Sequence, residues 1–307
     1  MTRTIPEPAG SKLKAMGEIG SAWLEGLAAL ILDLERRWSI RIGGAIAGGS
    51  HAYVARAVSA GGGDCVLKIA LPDGMGVTPF RHQTAALQAA EGRGYVKLLA
   101  CDNENRACLL EAMGGPLRDF DHPPEKQMDI ICAALRESWA SPCRPGLQSG
   151  RDIIAWFRDF IRPLWEELGR PCPEAVIHAA YDALDAREAD YHPESFVLIH
   201  GDAHSGNVLQ SPCGGFALID PDGIWYEKAY DLGVLMREWP DALESDVAEK
   251  GLERCQYLCE RTGAALRATW QWGFIQSVST GLLCLKVGMA AHGEMLLRLA
   301  AAWEKLF

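Results

Sequence analysis

Asp202, Asn207 and Asp220 stand in one short stretch of chain whose polar loop is bracketed by apolar runs. Val197-Leu198-Ile199 runs into His200-Gly201-Asp202-Ala203-His204-Ser205-Gly206-Asn207, and Val208-Leu209 leads out. Four residues separate Asp202 from Asn207, giving the spacing H-x-D-x-x-x-x-N. A turn, Ser211-Pro212-Cys213-Gly214-Gly215, sends the chain back through Phe216-Ala217-Leu218-Ile219 to Asp220. Asn207 opens one strand and Asp220 closes the next. A tight antiparallel hairpin sets such ends side by side. A carboxylate and an amide oxygen then converge on one point, a donor set for a hard cation such as Mg²⁺. Asp202 lies one loop away, placed to orient a hydroxyl and accept its proton. Metal, positioning and a proton acceptor are the parts that phosphoryl transfer requires.

Other elements must hold this β-island, whose strands are expected at 196–199, 207–210 and 216–219. Residues 21–38 place Trp23, Leu24, Leu27, Leu30, Ile31 and Leu34 at helical spacing. Strands are expected at 40–47, 53–59 and 65–71, joined by Gly48-Gly49-Ser50-His51 and by Gly61-Gly62-Gly63-Asp64. A helix over 79–91 and two strands, 95–101 and 107–111, complete a β-rich first third that ends near Gly114-Gly115-Pro116. From Pro123 onward the pattern is helical, and 152–168 carries a wide apolar face.

Composition narrows the partners. The chain of 307 residues fits two compact lobes. Its formal charge is −10, which argues against nucleic acid. The charge is uneven: residues 1–113 carry a net +1 and residues 114–307 a net −11. An acidic half attracts a cationic ligand, although acidity also serves solubility alone. Ten cysteines come with no CxxC pair, so a reducing cytoplasm is expected. No membrane span is expected: the uncharged stretch 268–285 contains Gln271, Gln276, Ser277, Ser279 and Thr280, which suits a buried helix.

The stretch 200–207, with Ile219-Asp220-Pro221-Asp222-Gly223, resembles the aminoglycoside phosphotransferase family. Three more segments are similar to its streptomycin 6-kinase and hydroxyurea phosphotransferase branch: Ala22-Trp23-Leu24-Glu25-Gly26-Leu27, Val66-Leu67-Lys68, and Gly92-Arg93-Gly94-Tyr95-Val96-Lys97-Leu98-Leu99. The resemblance implies an α+β, bilobal protein-kinase-like fold. A small nucleotide-binding lobe with a leading helix would span 1–113, and a larger helical catalytic and substrate lobe 114–307. It also implies transfer of the γ-phosphate of ATP, or GTP, with Mg²⁺, to a hydroxyl of a cationic, polyhydroxylated antibiotic of streptomycin type.

By position, Asp202 would orient the acceptor hydroxyl and take its proton, and Asn207 and Asp220 would hold Mg²⁺. Lys68 would bind the α- and β-phosphates, Gly48, Gly49 and Ser50 would cover them, and the backbone at Glu111-Ala112-Met113 would meet the purine edge. Asp231 matches a buried aspartate that accepts N–H bonds from the catalytic loop, and His200 shapes that loop. Glu227, just beyond Asp220, is the carboxylate expected to meet a cationic acceptor. Trp225, Tyr226, Trp270 and Trp272 offer aromatic faces to a cation or pack in the core.

Several alternatives stay open. Gly48-Gly49 lacks a full G-x-G-x-x-G and reads equally as a hairpin turn. Asp222 is either a second metal ligand or a turn residue. Gln83 stands where kinase-like folds carry the glutamate that pairs with the strand lysine, so Lys68 needs another acid. A metabolic kinase for a choline, amino-sugar or amino-alcohol substrate, and a non-catalytic pseudokinase, are the competing functions.

Overall fold

In a computed structural model the described residues are 5–49, 51–72, 80–243 and 245–304. Alternating apolar positions build a five-stranded antiparallel sheet in the first part of the chain. Its strands are β1 (Ile40–Ala45), β2 (Ala52–Ser59), β3 (Asp64–Ala70), β4 (Leu98–Asp102) and β5 (Ala107–Glu111), in the order β1-β2-β3-β5-β4. Side chains alternate across a strand. Cys65, Leu67 and Ile69 of β3 therefore bury against Leu27, Ile31 and Leu34 of helix α2 (Glu18–Trp38). Lys68 falls on the opposite face, in register with Val54 of β2 and Cys108 of β5. A short helix, α1 (Ala9–Ala15), precedes α2 and packs Leu13 on Leu71, just past β3.

Helix α3 (Phe80–Ala90) follows β3. Its Ala86, Leu87, Ala89 and Ala90 join one continuous core with β5 and the helical part of the chain. The backbone then crosses from β5 along residues 112–115. Gly114 N–H donates to Gln210 O at 2.7 Å, and Gln210 N–H to Gly115 O at 3.0 Å. These two bonds tie the crossing to the hairpin that follows.

The larger lobe contains α4 (Pro124–Trp139), β6 (Gln148–Ser149), α5 (Gly150–Glu167), α6 (Glu174–Ala189), β7 (Val197–Ile199), β8 (Val208–Gln210), β9 (Phe216–Leu218), β10 (Ile224–Tyr226), α7 (Ala229–Arg237), α8 (Val247–Thr262), α9 (Leu266–Lys286) and α10 (Ala290–Trp303). The expected hairpin is present as β8 and β9, paired Val208↔Leu218 to Gln210↔Phe216. β7 forms a second small sheet in the order β6-β10-β7. Helix α9 is buried around most of its circumference, between α7, α6 and α10. An all-round apolar helix belongs in a core, as the uncharged stretch 268–285 suggested. No helix among the described residues is long and apolar enough to cross a membrane.

One close approach fixes α3 against the end of the β8–β9 hairpin. Gly223 has φ 72°, and a Cβ there would lie 2.1 Å from the carbonyl oxygen of His82 in α3. Any side chain would both strain the left-handed backbone and push the helix away. Gly223→Ala is expected to destabilise the protein by about 2 kcal/mol or more, read as a lower urea midpoint. A midpoint equal to wild type would show that α3 is free to shift.

Candidate active site

The loop at 200–207 is built from its buried end. Asp231, in the first turn of α7, is fully buried. Its Oδ2 accepts His200 N–H at 3.0 Å and Trp139 Nε1–H at 2.9 Å, and its Oδ1 accepts Gly201 N–H at 2.9 Å. Burial pushes this carboxyl pKa up, while the three N–H donors oppose the rise by favouring the ionised form. His200 braces the next residues. Its Nδ1 accepts Asp202 N–H at 3.1 Å, and its Nε2–H reaches Ile219 O at 2.7 Å. Burial lowers its pKa, which suits a neutral ring that donates from one nitrogen and accepts at the other. Both residues are structural braces, and neither faces the cleft. Gly201, at φ 95°, has no room for a side chain: a Cβ would stand 2.5 Å from Asp222 Oδ2. Asp222 N–H donates to His200 O at 2.7 Å, so Asp222 closes the turn against the loop.

Asp202 emerges from this frame with its side chain 46% exposed. Arg237 Nη2, at the end of α7, stands 3.3 Å from its Oδ1, and His204 Nε2 stands 3.5 Å from its Oδ2. Asn207 ends a short 3₁₀ turn (Ser205–Asn207) and donates from Nδ2 to Asp202 O at 3.0 Å. That bond assigns the amide, leaving Oδ1 to meet a ligand. Ile219 N–H donates to Asn207 O at 2.9 Å, so the hairpin brings Asp220 beside Asn207 as its spacing implied. Asp220 takes φ 58°, an uncommon conformation for a residue with a side chain. Asn207 and Asp220 offer one amide oxygen and one carboxylate. Mg²⁺ characteristically takes one or two protein oxygens and fills its shell with phosphate and water, so this donor set fits it.

Lys68 reaches this point from β3. Its Nζ lies 2.6 Å from Asp220 Oδ1, and its side chain is 12% exposed. The acid partner that Gln83 cannot supply is therefore Asp220, which joins the sheet to the hairpin across the cleft. Gly48, at φ 102°, and Gly49 form the turn between β1 and β2. Ser50 lies outside the described residues. His51 follows, and Lys12 Nζ of α1 approaches its Nε2 at 2.6 Å. Glu111 sits at the crossing with its N–H on Lys97 O at 3.1 Å and its carboxylate on Lys97 N–H at 2.8 Å. Its side chain is thus committed to the sheet. Met113 is partly buried beside the core.

Glu227 does not stand in this group as an available carboxylate. Its Oε2 takes Arg187 Nη1 at 3.1 Å and its Oε1 takes Trp272 Nε1–H at 2.7 Å. Burial pushes its pKa up. Both oxygens are occupied inside the lobe, so a cationic ligand would have to displace an existing partner. Trp270, Trp272 and Tyr226 are buried core rings, whereas Trp225 is partly exposed. Four neighbours of the site escaped the sequence reading in that role: Arg237, His51, Lys12 and Arg118. A Cβ on Gly206 would lie 2.8 Å from Arg118 Nη1, which places that guanidinium on the loop between Asp202 and Asn207. The glycine itself was the available signal, since a side chain there would collide with Arg118 and His204.

Comparison with known proteins bears on the family and the fold. Residues 37–271 match the family described as aminoglycoside/hydroxyurea antibiotic resistance kinase. The chain is similar to a streptomycin 6-kinase of Streptomyces glaucescens, 27% identical over 313 residues that cover 97% of this chain and 96% of the relative. Its fold is similar to a choline kinase from Streptococcus pneumoniae, at TM-score 0.62 and 15% identity over 92% of this chain and 100% of that one. It is likewise similar to the aminoglycoside phosphotransferase APH(4)-Ia bound to ADP and hygromycin B, at TM-score 0.60 and 15% identity over 90% and 98%. These structures share the bilobal α+β kinase-like fold. With most of its length matched and the loop, hairpin and strand lysine converging as described, the chain belongs to the aminoglycoside/hydroxyurea antibiotic resistance kinase family.

Proposed function

We propose that the protein transfers the γ-phosphoryl group of a nucleoside triphosphate, ATP first, to a hydroxyl of a streptomycin-like aminoglycoside. The observation that carries this reading is the convergence of Asp202, Asn207, Asp220 and Lys68 around one hairpin in a chain of this family. Asp202 orients the acceptor hydroxyl and takes its proton. The phosphoryl group passes to that oxygen as the bond to the β-phosphate oxygen breaks, leaving the nucleoside diphosphate. Asn207 and Asp220 are the residues that would hold Mg²⁺, which when bound supplies positive charge to the phosphate oxygens. Lys68 exchanges Asp220 for phosphate oxygens as the nucleotide enters, which frees the Asp220 carboxylate. Gly48 and Gly49 would cover the phosphates, and the backbone of 111–113 would meet the base.

The acceptor class follows from the streptomycin 6-kinase relative and from the −11 net charge of residues 114–307. Likeness to a choline kinase supports the second reading, phosphorylation of an amino-alcohol. A pseudokinase is disfavoured, because Lys68 has an acid partner and Asp202 keeps an exposed carboxylate. Binding alone requires neither. Incubation with ATP and Mg²⁺ across aminoglycosides, choline and neutral alcohols tests the acceptor. Phosphorylated streptomycin is the expected product; rapid turnover of choline or a neutral alcohol with no aminoglycoside modified would overturn the acceptor class.

Two substitutions test the roles. Asp202→Asn is expected to lower turnover by roughly 10²–10⁴-fold with nucleotide affinity near wild type; turnover within a few-fold of wild type would remove Asp202 from the chemistry. Asp220→Ala is expected to weaken binding of the Mg²⁺–nucleotide complex much more than binding of metal-free nucleotide. Equal losses by calorimetry with and without Mg²⁺ would count against the metal assignment.

A further inference from the structure

Helix α7 touches the 200–207 loop at both ends. In its first turn Asp231 takes the N–H groups of His200 and Gly201. At its last residue Arg237 meets Asp202, and the next residue, Glu238, accepts Ser205 Oγ–H at 3.2 Å. A loop held this way is splinted along its length by one helix.

The corner that delivers Arg237 is itself clamped. Trp239 takes φ 47° and Pro240 follows, so the helix cannot continue. A helix end leaves carbonyls without partners. Arg254 of α8, 7% exposed, supplies them: Nη1 donates to Met236 O at 3.1 Å and to Glu238 O, and Nη2 donates to Trp239 O at 3.3 Å. The Arg237 side chain is 15% exposed, and its buried Nε has no hydrogen-bond partner among the described residues. Its charged contact is the carboxylate of Asp202.

We propose that Arg237 is a positioning residue for Asp202, holding one carboxylate oxygen so that the other is presented to the acceptor hydroxyl. The proposal rests on Asp202 being the proton acceptor. The backbone of Asp202 is already fixed, by His200 at its N–H and by Asn207 at its carbonyl. Its side-chain torsions are not fixed by those bonds. An exposed carboxylate would otherwise sample several rotamers, and a misplacement of about 1 Å at a reacting group can cost roughly a hundredfold in rate. Arginine suits the task. It cannot be deprotonated in proteins, so it orients the carboxylate without competing for the acceptor's proton. With Oδ1 against Arg237, the other oxygen, Oδ2, stands 3.5 Å from His204 Nε2.

A double-mutant cycle reads this directly, with wild type, Arg237→Gln, Asp202→Asn and the double variant assayed for acceptor phosphorylation. Arg237→Gln is expected to lower kcat roughly 10- to 100-fold while nucleotide affinity and Tm stay near wild type. Arg237→Lys, which keeps the charge, is expected to recover part of the loss. In the Asp202→Asn background Arg237→Gln is expected to change kcat by no more than about twofold, because interacting residues are non-additive. Full kcat in Arg237→Gln overturns the proposal. So does an equal factor in both backgrounds, which would mean that Arg237 acts on phosphate or on the fold. A change confined to acceptor KM would make it a substrate contact instead and overturns it as well. Near-normal turnover of Asp202→Asn would defeat the proton-acceptor reading itself, and the positioning role with it; inactive Asp202→Asn beside indifferent Arg237→Gln defeats only the latter. Should Arg237→Gln lose nucleotide binding through misfolding, Arg237→Lys carries the cycle.

Discussion

A single buried carboxylate organises the reactive loop. Asp231 lies at the meeting point of α7, α4 and the end of β7, and its two oxygens accept three N–H groups from His200, Gly201 and Trp139. Leaving such donors unpaired in a buried site costs about 1–3 kcal/mol each. The loop therefore cannot drift without exposing them. From that anchor the order of the site follows outward. His200 is held at its N–H, its ring fixes Asp202 N–H and Ile219 O, and Asn207 fixes Asp202 O. Asp202 is the first side chain in this sequence to reach solvent. The stack of Tyr95 on His200, with ring centroids 5.8 Å apart, closes the inner side.

The second constraint is the junction between lobes. Lys68 and Asp220 are 152 residues apart in sequence and meet at 2.6 Å. In a cleft this ion pair is partly screened, because Asp220 is 44% exposed, so its worth lies in geometry more than in stability. It keeps a cation and a carboxylate together where, under the proposed function, phosphate and metal would be held. The close approach of Gly223 to the His82 carbonyl sets the distance between helix α3 and the hairpin, a constraint separate from the helix–strand link that a lysine–glutamate pair supplies. Gln83 is therefore compatible with a working arrangement. The helix is located by backbone packing on the hairpin, and the lysine by the hairpin's own aspartate.

Much of this was legible in the sequence because it is local. The spacing of Asp202 and Asn207, the Ser211–Gly215 turn residues and Asp220 lie within nineteen positions, and hairpin geometry then dictates their meeting. The strand at 65–71 was legible for the same reason, whereas the role of Lys68 came from the resemblance. What stayed hidden depends on distant partners. Glu227 looked available because nothing near it in sequence announces Arg187 or Trp272. The strand β10 is three residues long and exists only because β7 and β6 flank it. Arg237 was not singled out, since its contact with Asp202 spans 35 positions. Tertiary burial, rather than propensity, decided each of these.

Charge around the site is organised at two ranges. Residues 114–307 carry a net −11, a surplus that favours a cationic ligand over the larger lobe within the reach of about 8 Å that physiological salt leaves unscreened. Close to Asp202 cations and carboxylates are paired instead: Lys68 stands on Asp220, Arg237 stands on Asp202, and Arg118 leans on Gly206. Each ion pair holds a carboxylate in place without leaving an uncompensated charge in the cleft. Under the proposed function, phosphate oxygens would compete with Asp220 for Lys68, so that nucleotide entry and exposure of the Asp220 carboxylate would be one event. The one acidic side chain singled out by sequence for the acceptor, Glu227, is spent inside the fold.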